Sequence, residues 1–211
     1  IDTCIAKGNL AAGFSFYQCS LPISLSNSVS DTNNSGALDN AGIYITDSIG
    51  LNITSNISIN NIYSGIAVLG TSSEILISNN QSRNNTRHGI YVASSDHSVV
   101  GNYCSLNGYN GIYGYDLVNS VINDNKCYSN SQTTDNTYDG IQLSNASITN
   151  FISSNMCRRG AGAKQQRYGI YIGVSGGRTN MVSGNDFLTG GKTGNLQDAD
   201  SNTLLQNNRI S

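Results

Sequence analysis

The sequence predicts an all-β solenoid, in which short strands recur along the chain and stack into one rod. Two recurring segments support this fold: a Gly-Ile-x-apolar segment, and an Asn that follows an apolar residue by three positions. Inside both segments apolar and polar residues alternate with period two, and no helical period persists. The copies return about every 22–30 residues, a spacing typical of repeat architectures.

The Gly-Ile-x-apolar segment predicts one strand of each repeat. Ile, Val and Tyr favour strands, and Gly favours the turn before them. Clear copies begin at Gly42, Gly65, Gly89, Gly111, Gly140 and Gly169. A weaker early copy begins at Gly13 and a degenerate last copy at Gly194. The repeat therefore covers nearly the whole chain.

The recurring Asn predicts a turn and a ladder. Its copies are Asn56, Asn80, Asn102, Asn125, Asn155, Asn185 and Asn208. In four copies a further Asn follows after five residues, namely Asn61, Asn85, Asn107 and Asn130. Asn tolerates the left-handed turn conformation, and amides stacked at strand spacing can hydrogen-bond to one another. We therefore expect Asn columns at the turns.

Each repeat holds about three short strands joined by turns, and one repeat alone cannot bury its apolar face. Stacked repeats can, with Ile over Ile and Val over Val. Long insertions fall between the Asn-x-Cys strand and the next Gly-Ile strand, at 31–40, 131–138 and 158–168. Insertions confined to one side of a solenoid often border a binding face.

Composition excludes several classes of function. Lys and Arg total 11 against 13 Asp and Glu, so the net charge of −2 leaves no basic face for nucleic acid. No apolar run approaches the ~20 residues of a membrane span. The chain contains 30 Asn and 30 Ser, so its polarity is largely uncharged, unlike that of a charged disordered tail. We expect residues 1–211 to form a single domain of a longer chain.

The five cysteines predict buried free thiols. Cys104, Cys127 and Cys157 each follow the ladder Asn by two residues, at a position that should face inward. Cys4 is expected at the same position in an early coil. The Cys-x-x-Cys or neighbouring His of a metal site is absent from the sequence.

The segment Gly-Ile-Tyr-Val, followed by Ser-x-x-Val-Val-Gly-Asn-x-Cys, resembles the parallel β-helix repeats of the pectin-lyase-like superfamily. The resemblance implies a right-handed parallel β-helix of about eight coils. It is weakest over residues 1–40. At ~4.8 Å per coil the rod would be roughly 40 Å long. Asn- and Ser-rich β-helices of phage tailspikes and appendages, which bind or cut host polysaccharide, look similar.

In each Gly-Ile-x-apolar strand the third residue should point outward. This outward column consists of Ser15, Tyr44, Ala67, Tyr91, Tyr113, Gln142 and Tyr171. Tyrosine rings suit sugar faces, because sugar C–H groups pack on the ring while hydroxyls bond alongside. The alternative is that Tyr fills a half-exposed sheet because of its high β propensity. In the resembling enzymes this strand face is the substrate groove.

Charged and aromatic residues flank these strands. Before the strands lie Tyr63, Arg87, His88, Tyr109, Tyr138, Asp139, Arg167 and Tyr168. After them lie Asp96, His97, Tyr115 and Asp116. Of these, Tyr115, Arg87 and Arg167 join Tyr44, Tyr91, Tyr113, Gln142 and Tyr171 as candidate substrate-binding residues.

Asp116, Asp139, His88 and Asp96 are candidate catalytic residues. Glycoside hydrolysis needs two carboxyl groups ~6.5–9.5 Å apart for inversion or ~5–5.5 Å apart for retention. Stacked acids on adjacent coils could meet either distance, which makes Asp116 with Asp139 the first pair and Asp96 with Asp116 the second. A lyase or epimerase would instead use a base, an acid and a group that neutralises the sugar carboxylate.

Tyr, His and Arg could take those three roles, or Ca²⁺ could neutralise the carboxylate. No cofactor is expected otherwise. The Asp-Asp and Gly-His-Gly motifs of polygalacturonases and the Asp-Pro-His motif of alginate epimerases are absent. The resemblance therefore assigns no catalytic residue by motif.

Three functions follow as hypotheses. The first is a domain of a phage tailspike, appendage or secreted surface fibre that binds a surface polysaccharide and can also cleave it. The second is a free-standing polysaccharide lyase, hydrolase or epimerase, and the third is a non-catalytic stalk or adhesin spacer. The first implies an extracellular or virion-surface location. A homotrimer of rods packed side by side is an alternative to a monomer.

Overall fold

The chain winds into a three-sided parallel β-helix. The computed structural model describes residues 1–20, 22–33, 41–174 and 179–210. Of the insertion expected at 31–40, residues 34–40 lie outside the described residues. Within the described ranges there are 23 strands and no α-helix.

The strands, in chain order, are β1 Ile5–Lys7, β2 Phe14–Tyr17, β3 Ile23–Ser26, β4 Val29–Asp31, β5 Ile43–Thr46, β6 Leu51–Thr54, β7 Ile57–Ile59, β8 Ile66–Leu69, β9 Leu76–Ser78, β10 Gln81–Arg83, β11 Ile90–Ser95, β12 Ser98–Val100, β13 Tyr103–Ser105, β14 Ile112–Val118, β15 Val121–Asn123, β16 Lys126–Tyr128, β17 Ile141–Asn145, β18 Phe151–Ser153, β19 Met156–Arg158, β20 Tyr168–Val174, β21 Met181–Ser183, β22 Gly194–Asp198 and β23 Leu204–Gln206.

Three sheets form the three sides of the helix, and every strand pairs with its equivalents in the coils above and below. The first sheet has the order β1-β4-β7-β10-β13-β16-β19. The second has the order β2-β5-β8-β11-β14-β17-β20-β22, and the third β3-β6-β9-β12-β15-β18-β21-β23. All pairings are parallel, as a solenoid requires. The predicted β-helix is confirmed.

Alternation along the strands places one residue type inward in every coil. In the second sheet Ile43, Ile66, Ile90, Ile112, Ile141 and Ile170 are aligned and fully buried. In the third sheet Leu25, Ile53, Ile77, Val99, Ile122, Ile152 and Val182 do the same. Burying one such side chain contributes about 1.5–3 kcal/mol, so the stacked aliphatic columns dominate the stability of the rod.

Buried asparagines run along two corners of the helix. At the first corner each Asn Nδ2 donates to the Oδ1 of the next coil's Asn, from Asn56 to Asn208, at 2.9–3.1 Å. The backbone N–H of each Asn donates to the same oxygen. At the second corner the series runs from Asn33 to Asn130. These amides satisfy the turn backbone, which would otherwise be buried without partners.

The ladder Asn is not the left-handed residue of its turn. Positive φ values fall one position earlier, at Ser55, Asn79 and Asp124, for example. The left-handed position therefore accepts any residue that tolerates this conformation. The next position is Asn because its side-chain amide both donates and accepts hydrogen bonds. The prediction that the ladder Asn itself adopts the left-handed conformation is wrong, because the residue before it does so.

The glycine column is explained by close approach to the second ladder. A Cβ added to Gly65 would lie 2.7 Å from Asn85 Nδ2 and 2.9 Å from the Gly89 carbonyl oxygen. No side chain fits there, so the residue before the first Ile of each of these strands is Gly.

Three of the five cysteines follow the expectation of burial, and Cys19 is only partly buried. Cys104, Cys127 and Cys157 are aligned, buried and free. Cys4 is exposed, and its N–H donates to Ser28 Oγ. It therefore occupies the ladder position, while Ala6 takes the inward position that the sequence assigned to Cys4. The pattern is too weak in the first coil to fix the register.

Candidate functional site

The outward column of the second sheet has the predicted register. Ser15 pairs with Tyr44, Tyr44 with Ala67, and so on through Tyr91, Tyr113, Gln142 and Tyr171. The four tyrosines are half-buried, whereas Ala67 is buried. The small Ala67 side chain lies between Tyr44 and Tyr91 and leaves a gap in the aromatic column.

The gap forms a hollow on the face of the second sheet. Its lining residues are Ala41, Tyr63, Ser64, Ala67, Leu69, Arg87, His88 and Tyr91. A second hollow shares Leu69 and Tyr91 and continues along the strands to Tyr115 and Asp116. The two hollows together form a groove that extends along the second sheet from Tyr63 to Asp116.

His88 lies at the centre of an aromatic cluster. Its ring stacks on Tyr113, with ring centroids 4.6 Å apart and an interplanar angle of 13°. Tyr91 lies 5.6 Å away and Tyr109 5.3 Å away, the latter edge-on. Burial, with a smaller contribution from the charge of Arg87, lowers the pKa of His88 to about 3. The imidazole is therefore neutral near pH 7.

Arg87 projects at the rim of the same hollow. Its guanidinium lies 3.9 Å from the ring centroid of Tyr63 and 5.9 Å from that of Tyr109. Tyr109 in turn stacks on Tyr138 at 4.1 Å. Among the described residues no carboxylate forms an ion pair with Arg87. Arg87 thus offers an uncompensated positive charge held between aromatic rings.

Arg167, by contrast, is compensated. Its Nη2 and Nε donate to the two carboxylate oxygens of Asp139 at 2.8 and 3.1 Å. The N–H of Tyr168 donates to the same carboxylate. Asp139 is fully buried, and burial raises its pKa to about 6 although these donors act in the opposite direction. The guanidinium of Arg167 lies over Tyr168 and Tyr171, at 5.0 and 4.6 Å.

Asn110 links the two halves of the cluster. Its Nδ2 donates to Gln142 Oε1 at 2.9 Å and lies 3.4 Å from His88 Nδ1. Its Oδ1 accepts from the N–H of Asp139. Sequence reasoning missed Asn110, because this Asn precedes a Gly-Ile strand instead of following the ladder spacing. The only available signal was its position next to Gly111.

The structure does not bring Asp116 and Asp139 together. Asp139 lies two residues before Ile141, which pairs with Ile112, whereas Asp116 lies four residues after Ile112. At about 3.3 Å per residue, the two carboxylates are separated by roughly 20 Å along the strand direction. The predicted hydrolytic pair on these two residues is therefore not formed.

Asp96 follows the end of β11 and Asp116 lies within β14, and both have positive φ. Asp116 is the extra residue where the register between β11 and β14 shifts, and its Oδ1 accepts from Asn145 Nδ2 and the N–H of Ala146. Asp96 accepts from Asn119 Nδ2. Both carboxylates thus satisfy donors of the next coil. Asp96 lies at the level of Asn119, three residues beyond Asp116, so the two residues of the second predicted pair are not aligned.

The remaining predicted residues fall in or beside the groove. Tyr113 accepts a hydrogen bond from Ser144 Oγ at 2.7 Å, and burial raises the pKa of its hydroxyl. Tyr115 is exposed next to it, with ring centroids 6.2 Å apart. His97 lies outside the groove, buried at the corner between the second and third sheets, where its Nδ1 accepts from the N–H of Ile75.

The two later insertions pack against each other beside the second sheet. Residues 131–138 lie against 159–166, since the N–H of Asn136 donates to the Gln165 carbonyl and Lys164 Nζ to the Thr133 carbonyl. They lie just before β17 and β20, next to Asp139 and Arg167. Within the segments that the structure covers, no group of three or more His, Cys, Asp or Glu side chains could hold a metal ion. No helix in those segments is long and apolar enough to cross a membrane.

The fold and the asparagine ladders at its corners define the class of protein as a single-chain parallel β-helix. Residues 41–210 match the family model described as "Right handed beta helix region", and the chain belongs to this family. No curated protein matches the chain.

Two solved structures illustrate the similarity. The periplasmic alginate epimerase AlgG aligns with a TM-score of 0.75 and 18% identity, covering 95% of this chain and 47% of that one. The A-module of the mannuronan C-5 epimerase AlgE6 from Azotobacter vinelandii aligns with a TM-score of 0.72 and 15% identity, covering 100% and 58%. The chain spans about half the length of these proteins. At such identities the similarity shows the fold alone.

Proposed function

We propose that this chain is a β-helix domain that binds a polysaccharide along the outward face of its second sheet. The observation that carries the proposal is the contiguous aromatic surface of His88, Tyr91 and Tyr113 beside the hollow above Ala67. Rings on adjacent coils recur every ~4.8 Å, close to the length of a pyranose unit, so that successive sugars can pack on successive rings.

The charge of the groove favours an acidic polysaccharide. Arg87 points at the hollow without a carboxylate partner in the described ranges, whereas the charge of Arg167 is neutralised by Asp139. A sugar carboxylate or sulfate would supply the missing partner of Arg87. The two similar structures are named as alginate and mannuronan epimerases, which is consistent with an acidic polymer. Such a ligand fits the extracellular or virion-surface location expected from the sequence.

Binding to a glycan array tests the proposal, with affinities then measured by calorimetry. Tyr113→Ala should weaken binding by about 1–3 kcal/mol, because it removes the centre of the aromatic surface. Tyr17→Ala is the matched control: Tyr17 is an exposed tyrosine of the same sheet that lies two coils before Ala67. It should bind as the unmodified protein does. If the unmodified protein binds no glycan, the chain is a stalk and the aromatic surface only fills a sheet.

A second candidate function is proton abstraction from an acidic sugar, as in a lyase or epimerase. The observation that favours it is that Arg87, His88 and Tyr91 line one hollow. Arg87 would neutralise the sugar carboxylate, and neutral His88 would accept the proton from the adjacent carbon. In an epimerase a tyrosine hydroxyl would then donate a proton to the opposite face of that carbon. In a lyase the bond from the ring to the glycosidic oxygen would break, a carbon–carbon double bond would form, and the tyrosine hydroxyl would donate its proton to the departing oxygen.

Product analysis separates catalysis from binding. Incubation with polyuronates, followed by proton NMR, should reveal unsaturated ends or inverted sugar units. His88→Gln should abolish them while weakening binding no more than Tyr113→Ala does. Asp124→Asn is the matched control and should leave any such activity unchanged, because Asp124 is an exposed turn residue between β15 and β16, outside the groove. If Asp124→Asn abolished activity and His88→Gln did not, the assignment of roles would be overturned.

A further inference from the structure

A second aromatic surface lies on the first sheet, on a different side of the helix from the groove. Tyr103, Tyr128 and Met156 are 38%, 43% and 40% exposed, although each is large and apolar. Together with Lys126 and Arg158 they line one hollow, which we call the first-sheet patch. Isolated exposed apolar residues are ordinary, but a cluster around a hollow indicates a binding site.

Strand register fixes the arrangement of the patch. Tyr103, Lys126 and Met156 are aligned on three consecutive coils, so Lys126 lies about 4.8 Å from each neighbour along the helix axis. Tyr128 is two residues beyond Lys126 on the same strand and is aligned with Arg158. Two aromatic rings therefore flank one lysine.

The two cations of the patch differ in their partners. Arg158 forms an ion pair with Asp186. Over the described part of the chain, Lys126 has neither an ion pair nor a side-chain hydrogen bond. Lys126 therefore brings to the patch a positive charge that no carboxylate of the described residues neutralises.

We infer that the first-sheet patch is a second saccharide-binding site, which takes an acidic sugar unit. Tyr103 and Tyr128 would provide the ring faces, and Lys126 would bind the carboxylate or sulfate. The inference takes its class of ligand from the proposed function but concerns different residues. The insertions at 131–138 and 159–166 lie between the two faces, so occupation of one site leaves the other accessible.

The free lysine argues against a protein partner here. Lys is depleted in the buried centres of protein interfaces, since an unpaired ammonium loses its hydration there. A single acidic sugar would cover the tyrosine rings without burying the lysine completely. The carboxylate or sulfate of that sugar would pair with the ammonium group of Lys126. A polymer contacting both faces would gain affinity through multivalency.

Methionine methyl labelling tests the inference directly, because the chain has two methionines, Met156 in the patch and Met181 on the third sheet. The protein would be labelled with ¹³C-methyl methionine, and Met181→Leu would assign the signals. Titration would use oligogalacturonate, oligomannuronate and heparin oligosaccharides, with maltotetraose as the uncharged control. At least one acidic probe should shift the Met156 signal saturably and leave Met181 unchanged.

Variants separate this site from the groove. Tyr128→Ala and Lys126→Gln should each raise the dissociation constant measured at Met156 about tenfold or more, which means weaker binding. Tyr113→Ala should leave that constant unchanged, because Tyr113 lies in the second sheet. If groove binding fails while Met156 still responds, the proposed function is wrong and the patch is not.

Three results would overturn the inference. No shift of Met156 with any of the acidic probes would mean that the patch binds no acidic sugar. An equal response to maltotetraose would remove the role of Lys126. A Met156 shift that depends on protein concentration alone, with a dimer in sedimentation, would assign the face to a second copy of the chain.

Discussion

At the scale of single residues, the ladder asparagines carry an unusual number of hydrogen bonds. Asn125 Oδ1 accepts from both the N–H and the Nδ2 of Asn102. Its Nδ2 donates to the Val99 carbonyl and to Asn155 Oδ1. Among neutral side chains only the amides of Asn and Gln accept two bonds and donate two, and Asn has the shorter side chain. Substitution of an Asn in the middle of the ladder therefore removes the hydrogen-bond partners of several buried groups at once.

Replacing Asn125 with Ala should lower the free energy of unfolding by about 2–4 kcal/mol, because at least one buried N–H and one carbonyl lose their partners. Denaturant unfolding measures the change. Asn52→Ala is the matched control, since Asn52 is an exposed strand residue, and it should stay within about 0.5 kcal/mol of the unmodified protein. Equal effects of both substitutions would show that the ladder contributes little.

Acid should destabilise the protein through His88. Its pKa is about 3 in the folded chain against an ordinary value of 6.5, so below pH 6.5 the unfolded chain binds a proton that the folded chain does not. Stability is then lost as the pH falls from 6.5 towards 3. Asp139, whose pKa is raised to about 6, acts in the opposite direction, because its stabilisation falls as the pH rises from about 4 to 6.

Unfolding at pH 7 and pH 4 isolates the histidine. His88→Phe keeps a ring against Tyr113 but cannot take up a proton, so it should lose less stability between the two pH values than the unmodified protein. The difference should be a few kcal/mol. Burial also lowers the pKa of His97, but His97 remains in both proteins. An unchanged pH dependence in His88→Phe would place the protonation elsewhere.

At the scale of strands, the alternation of apolar and polar residues predicted the columns, and their register confirms them. That alternation did not predict how far along the strand direction the residues before and after each strand would lie. Asp116 enters β14 as an extra residue, and the shift between Ala93 and Ser94 displaces everything after it. Gly114 leaves space in the core that Leu117 and Leu143 fill. Such a bulge depends on packing between coils, which one repeat read alone does not reveal.

The ion pair between Asp139 and Arg167 should stabilise the end of the groove. Asp139→Asn should cost about 2–3 kcal/mol at pH 7.5, less than a fully buried pair, because Arg167 keeps some access to water. The cost should be larger at pH 4.5, because the raised pKa means that folding favours the protonated carboxyl group of Asp139. This stabilisation is lost as the pH rises through about 6, and the Asn variant lacks it.

The control for Asp139→Asn is Asp116→Asn. Asn tolerates the positive φ of residue 116, so little stability should be lost there. Chemical denaturation of both variants at the two pH values makes the comparison. A loss at Asp139→Asn that does not change with pH would mean that the carboxylate charge is not what matters.

At the scale of the whole molecule, the count and spacing of copies were sufficient to predict the solenoid. Each coil repeats the same inward pattern, so a copy with an unusual residue can still be aligned with the others. The first coil could not be aligned in this way, and Cys4 was therefore assigned to the wrong position. The candidate site was predictable only as a face: the Tyr column followed from period two, but the gap at Ala67 and the bridging Asn110 depend on neighbours in three dimensions.

Removal of one complete coil should leave a folded protein. Residues 89–110 form one such coil, and their deletion would bring Asn80 against Asn125 and Asn85 against Asn130 with both ladders in register. Far-UV circular dichroism should remain that of β-structure, with a modest loss in Tm. Deletion of residues 89–99 alone breaks the register and should abolish cooperative unfolding. If both deletions unfold the chain, the coils are not interchangeable units.

The second corner ladder changes at residue 166, where Gln166 replaces Asn. From Asn61 to Asn130 the backbone N–H and the Nδ2 each bond to the next Oδ1, whereas only a backbone N–H, that of Asn130, donates to Gln166 Oε1, at 3.4 Å. These bonds run along the helix axis, so a pulling force applied to the two ends loads them in series. The coil boundary at Gln166 is then the weakest link, and mechanical rupture should begin there.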